Sequence, residues 1–231
     1  MATYIKGIPV AENGVSKISA PKSKLINNFN CHKKEVQDFN FKRKENATEI
    51  TVIEALDGQL ITNKLNITPK ISNELYVSDT QNDILKIVVI NRYKDSPVSM
   101  GFIKNFGLKK GAIASSVAHD SRNIIAVGVD DESLCRAVNL IIENEGGISC
   151  ADAAITYFEK VLPLPVAGLM SNDDGYQVAE MYSKLDKAAK DLGSKLSAPF
   201  MTLSFMALLV IPHVKLSDLG LFDGDDFKFI K

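Results

Sequence analysis

The stretch AIASSVAHDSRNIIAVGVDDESLCRAVNLIIENEGG, residues 112–147, decides the fold of this chain. Ala112–Ala118 and Ile124–Val129 are apolar runs of strand length. The polar tip His119-Asp120-Ser121-Arg122-Asn123 joins them. Asp130-Asp131-Glu132 then opens a helix, with carboxylates where the positive end of the peptide dipoles favours them. Leu134, Ala137, Val138, Ile141 and Ile142 recur at i, i+3, i+4, i+7 and i+8, and Gly146-Gly147 ends the run. The result is a strand-strand-helix unit.

Working outward, the unit returns. Gly147–Ala151 and Ile155–Val161 read as strands, and a second helix begins near Asn172-Asp173-Asp174. It carries Val178, Met181, Leu185, Ala188, Ala189 and Leu192 on one face, and Gly193 sits just past its end, where a left-handed residue is needed. Upstream, Ile84–Ile90 is a near-continuous apolar strand of the kind covered on both faces. Ile50, Val52 and Leu56 share one parity, and Leu60–Ile67 extends beyond the Asp57-Gly58 turn. The fold class is therefore α/β (α+β): a mixed sheet of strand-strand-helix units with helices on a face. Residues 3–10, with Gly7 and the Asn13-Gly14 turn, predict a small N-terminal β-hairpin. Residues 16–48 are polar and read as a long connection draped over a neighbour. The chain thus divides into 1–48, the remnant of a small β domain with its connection, and 49–231, the main domain. The hairpin Tyr4–Val10 and Phe29, Phe39 and Phe41 are expected to form an apolar face for a partner.

Charge excludes several classes of function. The 27 Lys and Arg nearly cancel the 28 Asp and Glu, so no global field draws in nucleic acid or an anionic membrane. Lys33-Lys34 and Lys42-Arg43-Lys44 read as solvated surface. Phe200–Ile211 is the longest apolar run, too short for the roughly 20 residues that cross a bilayer, and is expected to be core. No charged region followed by an apolar core opens the chain, so no secretory signal is expected. Cys31, Cys135 and Cys150 are odd in number and widely spaced, which fits neither a disulfide framework nor a zinc site and suits the cytoplasm. The sequons at Asn46-Ala47-Thr48 and Asn66-Ile67-Thr68 then read as chance.

Few residues carry recognisable chemistry. His32, His119 and His213 are the only histidines, and none has metal-ligand spacing, so no catalytic residue and no metal ligand is assigned. The zinc nucleobase-deaminase signature is absent, as are the phosphate-binding glycine loops. Ser115 to Asn123 holds the residue types of a hydrolytic triad, but consecutive positions project in different directions. Asp120, Ser121 and Asn123 read as satisfying the backbone of a turn. The competing reading makes His119, Asp120, Ser121 and Asn123 the lining of a site, since loops between strands are where sites are hung. Leu162–Met170, with Pro163 and Pro165, reads as a rigid connector.

Several long segments resemble the adenine deaminase family: Gly101–Ser121, Leu162–Ser171, Pro199–Leu208 and Lys215–Phe222, with a weaker similarity reaching back to Tyr4–Gly14. The resemblance covers this chain but only the second half of a typical member. It implies an amidohydrolase with a (β/α)8 barrel, a small β domain and this C-terminal α/β domain. It also implies purine catabolism by hydrolysis of adenine to hypoxanthine and ammonia, at a binuclear manganese or iron centre. The metal ligands of such enzymes lie on the barrel, which needs about 250 residues of its own, and none is carried over to this chain. This chain alone is expected to be inactive, with no cofactor of its own. Its expected partners are a barrel domain or subunit, adenine in the complete enzyme and further copies in a homo-oligomer. The alternative is a stand-alone, non-catalytic binding or oligomerisation module. One departure stands in the turn, where the family's His-Asp-Ser-His-Asn has Arg122 in place of its second histidine.

Overall fold

The computed structural model describes residues 1–19, 24–45, 47–154 and 158–230. Asn46 of the first sequon and the opening of the Ile155–Val161 strand lie outside them. In chain order the strands are β1 (Ala2–Ile5), β2 (Ile8–Glu12), β3 (Val15–Ser16), β4 (Ile50–Ala55), β5 (Thr62–Ile67), β6 (Ile71–Ser72), β7 (Leu75–Tyr76) and β8 (Ile84–Ile90). They continue with β9 (Ser99–Lys104), β10 (Ala112–Ser115), β11 (Ile124–Gly128), β12 (Gly147–Asp152), β13 (Phe158–Pro163), β14 (Val214–Ser217), β15 (Gly220–Asp223) and β16 (Lys228–Phe229). The helices are α1 (Asp131–Glu143), α2 (Gly175–Asp191) and α3 (Pro199–Phe205).

The centre is a mixed eight-stranded sheet in the order β13-β12-β10-β11-β8-β9-β4-β5. Its pairs are antiparallel except β4 with β9. The two strand-strand-helix units, β10-β11-α1 and β12-β13-α2, put their helices on opposite faces. Both faces need cover because β8, β10, β11 and β12 are buried along their whole length. Alternation divides the load. Leu85, Ile87 and Val89 enter one core with Ile113, Ile125 and Val127, under α2, α3 and β14. Val88, Ile90, Ala114 and Ala126 point the other way and meet Leu134, Val138 and Ile141 of α1.

The helix ends follow their sequence signals. Asp130 Oδ1 accepts the Ser133 amide at 2.7 Å, and Asp174 Oδ1 accepts those of Tyr176 and Gln177 at 3.0 and 3.2 Å. Gly193 follows α2 with φ +117°, and a Cβ there would lie 2.8 Å from the Gly107 carbonyl oxygen. Glycine is therefore demanded both by backbone conformation and by close approach.

Three expectations need correction. Phe39 is completely buried with the α1 core, and Phe41 stacks on Phe102 at 5.8 Å between ring centroids. Phe29 is half-buried against the α1 core and faces the Arg92 guanidinium at 5.7 Å. These aromatics fold back onto the domain itself, because the polar segment around them has the α1 face of the sheet to cover. Nor is the basic cluster uniformly solvated: the Lys34 side chain is 8 % exposed and reaches Asp95 at 2.7 Å, while Lys33 and Arg43 pair with Glu143 and Glu74. Met181, placed on the apolar face of α2, is exposed, whereas Leu185, Ala188 and Ala189 farther along the same face are buried. The hairpin is present as β1-β2, extended by β3 into a small sheet whose residues are nearly all exposed.

Candidate functional site

The main cavity lies between the sheet and the two helices α2 and α3. It holds about 700 Å³, within the range of small-molecule pockets. Ser115, Val117, Ile148, Leu162 and Leu164 line it from β10, β12, β13 and the residues just after them. From α2 come Gly175, Val178, Ala179, Tyr182 and Ser183, and from α3 Phe200, Met201 and Ser204. His119 completes the wall. The hollow follows from sequence: Gly175, Val178, Ala179 and Tyr182 fall at i, i+3, i+4 and i+7, and two of the four have almost no side chain. Farther along α2, Leu185, Ala188 and Ala189 close down onto the core.

Its polar groups are few and mostly occupied. Ser183 Oγ donates to the Ala179 carbonyl at 2.9 Å and Ser204 Oγ to the Met201 carbonyl at 2.7 Å. Ser115 Oγ accepts the Val117 amide at 2.9 Å. Burial pushes the Tyr182 hydroxyl pKa up, with a further contribution from nearby Asp186.

His119 sits where its loop meets α3. Its amide donates to the Ser204 carbonyl at 2.9 Å, and its ring stacks on Phe205 with centroids 4.7 Å apart. Nδ1 lies 3.4 Å from Arg122 Nη1. Guanidinium is always a donor, so a neutral His119 accepts through Nδ1 and carries its proton on Nε2. In a hydrolytic triad an orienting carboxylate would occupy the place that Arg122 takes. The triad reading therefore has no geometry behind it.

The other loop residues scatter. Asp120 and Ser121 are exposed and line a separate depression of about 320 Å³ with Val210, Asp218, Leu219 and Phe229. Asn123 is 2 % exposed, and its Oδ1 accepts the Arg92 amide at 3.4 Å, tying β11 to the end of β8. Of the four candidates, only His119 reaches the main cavity. Sequence reading missed Tyr182, Phe200 and Met201; the small-residue stripe on α2 was the signal that could have found them.

The described residues do not fit a metal centre. No group of three or more His, Cys, Asp or Glu among them is placed to hold an ion. His32 lies 3.5 Å from Asp95, and His213 lies 2.6 Å from Asp225 at the C-terminal sheet, both on exposed surface. All three cysteines are free and buried. Burial pushes the Cys31 and Cys150 thiols up to about 11 and about 12, making them unreactive thiols rather than ligands. Among the described residues, no helix is long and apolar enough to cross a membrane.

Residues 59–228 match the family described as the adenine deaminase C-terminal domain. The chain is 48 % identical over 230 residues to an adenine deaminase of Borreliella burgdorferi, an alignment covering 99 % of this chain and 41 % of the relative. It is 48 % identical over 239 residues to that of Methanosarcina barkeri, covering 100 % and 42 %. With that of Salinibacter ruber the identity is 45 % over 230 residues, covering 99 % and 41 %. The chain thus spans little more than two-fifths of the length of these curated relatives.

Proposed function

The chain belongs to the adenine deaminase C-terminal domain family, and from that premise we propose that it serves as the C-terminal part of an enzyme that hydrolyses adenine to hypoxanthine and ammonia. One observation carries the reading: nearly the whole chain aligns at 48 % identity with a named adenine deaminase of which it spans 41 %. The catalytic centre then belongs to the part of the enzyme that these residues do not span. A binuclear manganese or iron centre would supply the attacking hydroxide there. The described residues do not fit such a centre, and His119, paired with Arg122 and stacked on Phe205, offers neither a nucleophile nor an oriented base. Its part in the reaction is to complete and hold the catalytic portion. Buried reduced cysteines accord with a cytoplasmic setting.

The test is complementation. Ammonia release from adenine is measured with Mn²⁺ or Fe²⁺ added, first for the chain alone and then for the chain co-expressed with the part of the Borreliella burgdorferi relative that it does not span. The expected result is activity in the co-expressed sample only. Turnover by the chain alone above a boiled control would overturn the assignment, as would an inactive co-expressed complex.

A further inference from the structure

The cavity between α2 and α3 is open, apolar and unfilled by the described residues. Protein interiors pack at nearly crystalline density, so a space of about 700 Å³ walled by Val117, Ile148, Leu162, Val178 and Phe200 is far larger than packing faults leave behind. Its rim is also apolar. Met201 is 54 % exposed and Tyr182 37 %, although both contribute to the cavity wall.

This opening does not stand alone. Tyr176, next to the cavity residue Gly175, donates its hydroxyl to the Gly14 carbonyl at 2.7 Å, which brings the β1-β2-β3 sheet to the start of α2. That sheet leaves Tyr4, Ile8 and Val15 each more than 60 % exposed. Small sheets gain independent stability from an apolar face packed against something, and the described residues leave this one almost bare. The bare sheet and the open cavity are thus parts of one unpartnered surface.

The chemistry of the wall selects the kind of occupant. Ser183 and Ser204 spend their hydroxyl protons on carbonyls of their own helices, which leaves the His119 ring and the Ser115 and Tyr182 hydroxyls as the few polar handles of a mostly apolar wall. A purine carries hydrogen-bonding atoms around its whole perimeter and would bury most of them unpaired here. Apolar side chains lose nothing on entry. More than half the length of the relatives has no counterpart in this chain, so a protein segment of that origin is at hand.

We propose that the α2–α3 cavity, together with the β1-β2-β3 sheet, is the socket for that remaining part of the enzyme, which inserts apolar side chains beside His119. The inference rests on the reading that this chain works as the C-terminal part of a larger deaminase, and it adds where the two parts meet.

The experiment fills the socket. Ala179→Trp and Ser183→Trp would each occupy the cavity from α2, and Tyr182→Arg would place a charge at its rim. Glu180→Ala, exposed on the same helix and paired with Lys184, is the control. Each variant is co-expressed with the unspanned part of the Borreliella burgdorferi relative, and complex formation is followed by gel filtration and titration. The expected result is at least tenfold weaker association for the three cavity variants, none for the control, and unchanged melting of the isolated chain. Should one tryptophan variant fail to fold, Tyr182→Arg and the other tryptophan carry the test. Association as tight as wild type in the cavity variants would overturn the socket while leaving deaminase activity of the complex to stand. No wild-type complex, or self-association of the chain through the cavity, would overturn it as well. A complex that the tryptophans disrupt but that releases no ammonia would uphold the socket and sink the proposed function.

Discussion

Tyr176 Oη and the Gly14 carbonyl oxygen are 2.7 Å apart, 162 residues distant in sequence, and their bond ties the N-terminal sheet to the first turn of α2. Because the sheet buries little else, this contact holds its position rather than the stability of the domain. Tyr176→Phe removes a single exposed hydrogen bond, a loss of about 0.5–1.5 kcal/mol at most. The expected result is faster proteolysis within residues 1–19 with an unchanged midpoint for the main unfolding transition. Equal proteolysis rates would show that the sheet is held by something else.

Phe39 tests whether the polar N-terminal segment is part of the core. Its ring is completely buried against α1, and its carbonyl accepts Lys86 Nζ at 2.8 Å. Phe39→Ser leaves a large cavity and places a hydroxyl in it, so a destabilisation of about 3–5 kcal/mol is expected in urea unfolding. Loss of association with little change in stability would instead return Phe39 to an interface.

The fold was more legible in this chain than the site, for physical reasons. α1 and α2 announce themselves because each has a capping aspartate, an apolar stripe and a glycine at its end. α3 does not, because Phe200–Ile211 is apolar on every side and so has no period to read. β9 was missed as well: Gly101 breaks its pattern, and only in three dimensions does that glycine make room for Leu221, whose Cδ2 lies 3.4 Å from where a Cβ would be. The C-terminal strands β14 to β16 are short, and their role as a cover over Gly101 and Ile87 depends on contacts across more than 100 residues. His119 was singled out by residue type and does reach the cavity. Asp120, Ser121 and Asn123 were chosen by adjacency, and adjacent residues on a turn diverge.

Gly168 is where backbone and buried charge constrain one another. Arg92 is 3 % exposed and is held by Asn27 Oδ1 at 3.2 Å, the Tyr93 hydroxyl at 3.1 Å and the Ala167 carbonyl at 2.8 Å. A Cβ on Gly168 would lie 2.1 Å from Arg92 Nη1, and the residue has φ +68°. Gly168→Ala therefore strains the backbone and displaces a cation whose hydrogen-bond acceptors among the described residues are all neutral. A loss of about 2–4 kcal/mol is expected by denaturant titration. A variant as stable as wild type would mean that the guanidinium can move without cost.

Lys215 supplies a prediction in pH. The residue is 1 % exposed, and its Nζ reaches the Leu60 carbonyl at 2.6 Å. Burial pushes its pKa down to about 8, because the charged form loses its hydration. In the unfolded chain a lysine titrates near 10.4. Below pH 8 both states carry the proton, and the folded state bears the whole cost of the buried charge. Between roughly pH 8 and 10.4 the native chain releases a proton that the unfolded chain still holds, so this residue's contribution to stability rises with pH. Lys215→Met removes the titrating group while keeping much of the side-chain volume. The stability of the variant minus that of wild type, measured by urea unfolding, is therefore expected to fall by about 2–3 kcal/mol between pH 7.5 and pH 10.5. Other titrating groups are common to both proteins and cancel in that difference. A difference that stays flat across the range would show that Lys215 holds its proton in the folded chain as tightly as in the unfolded one.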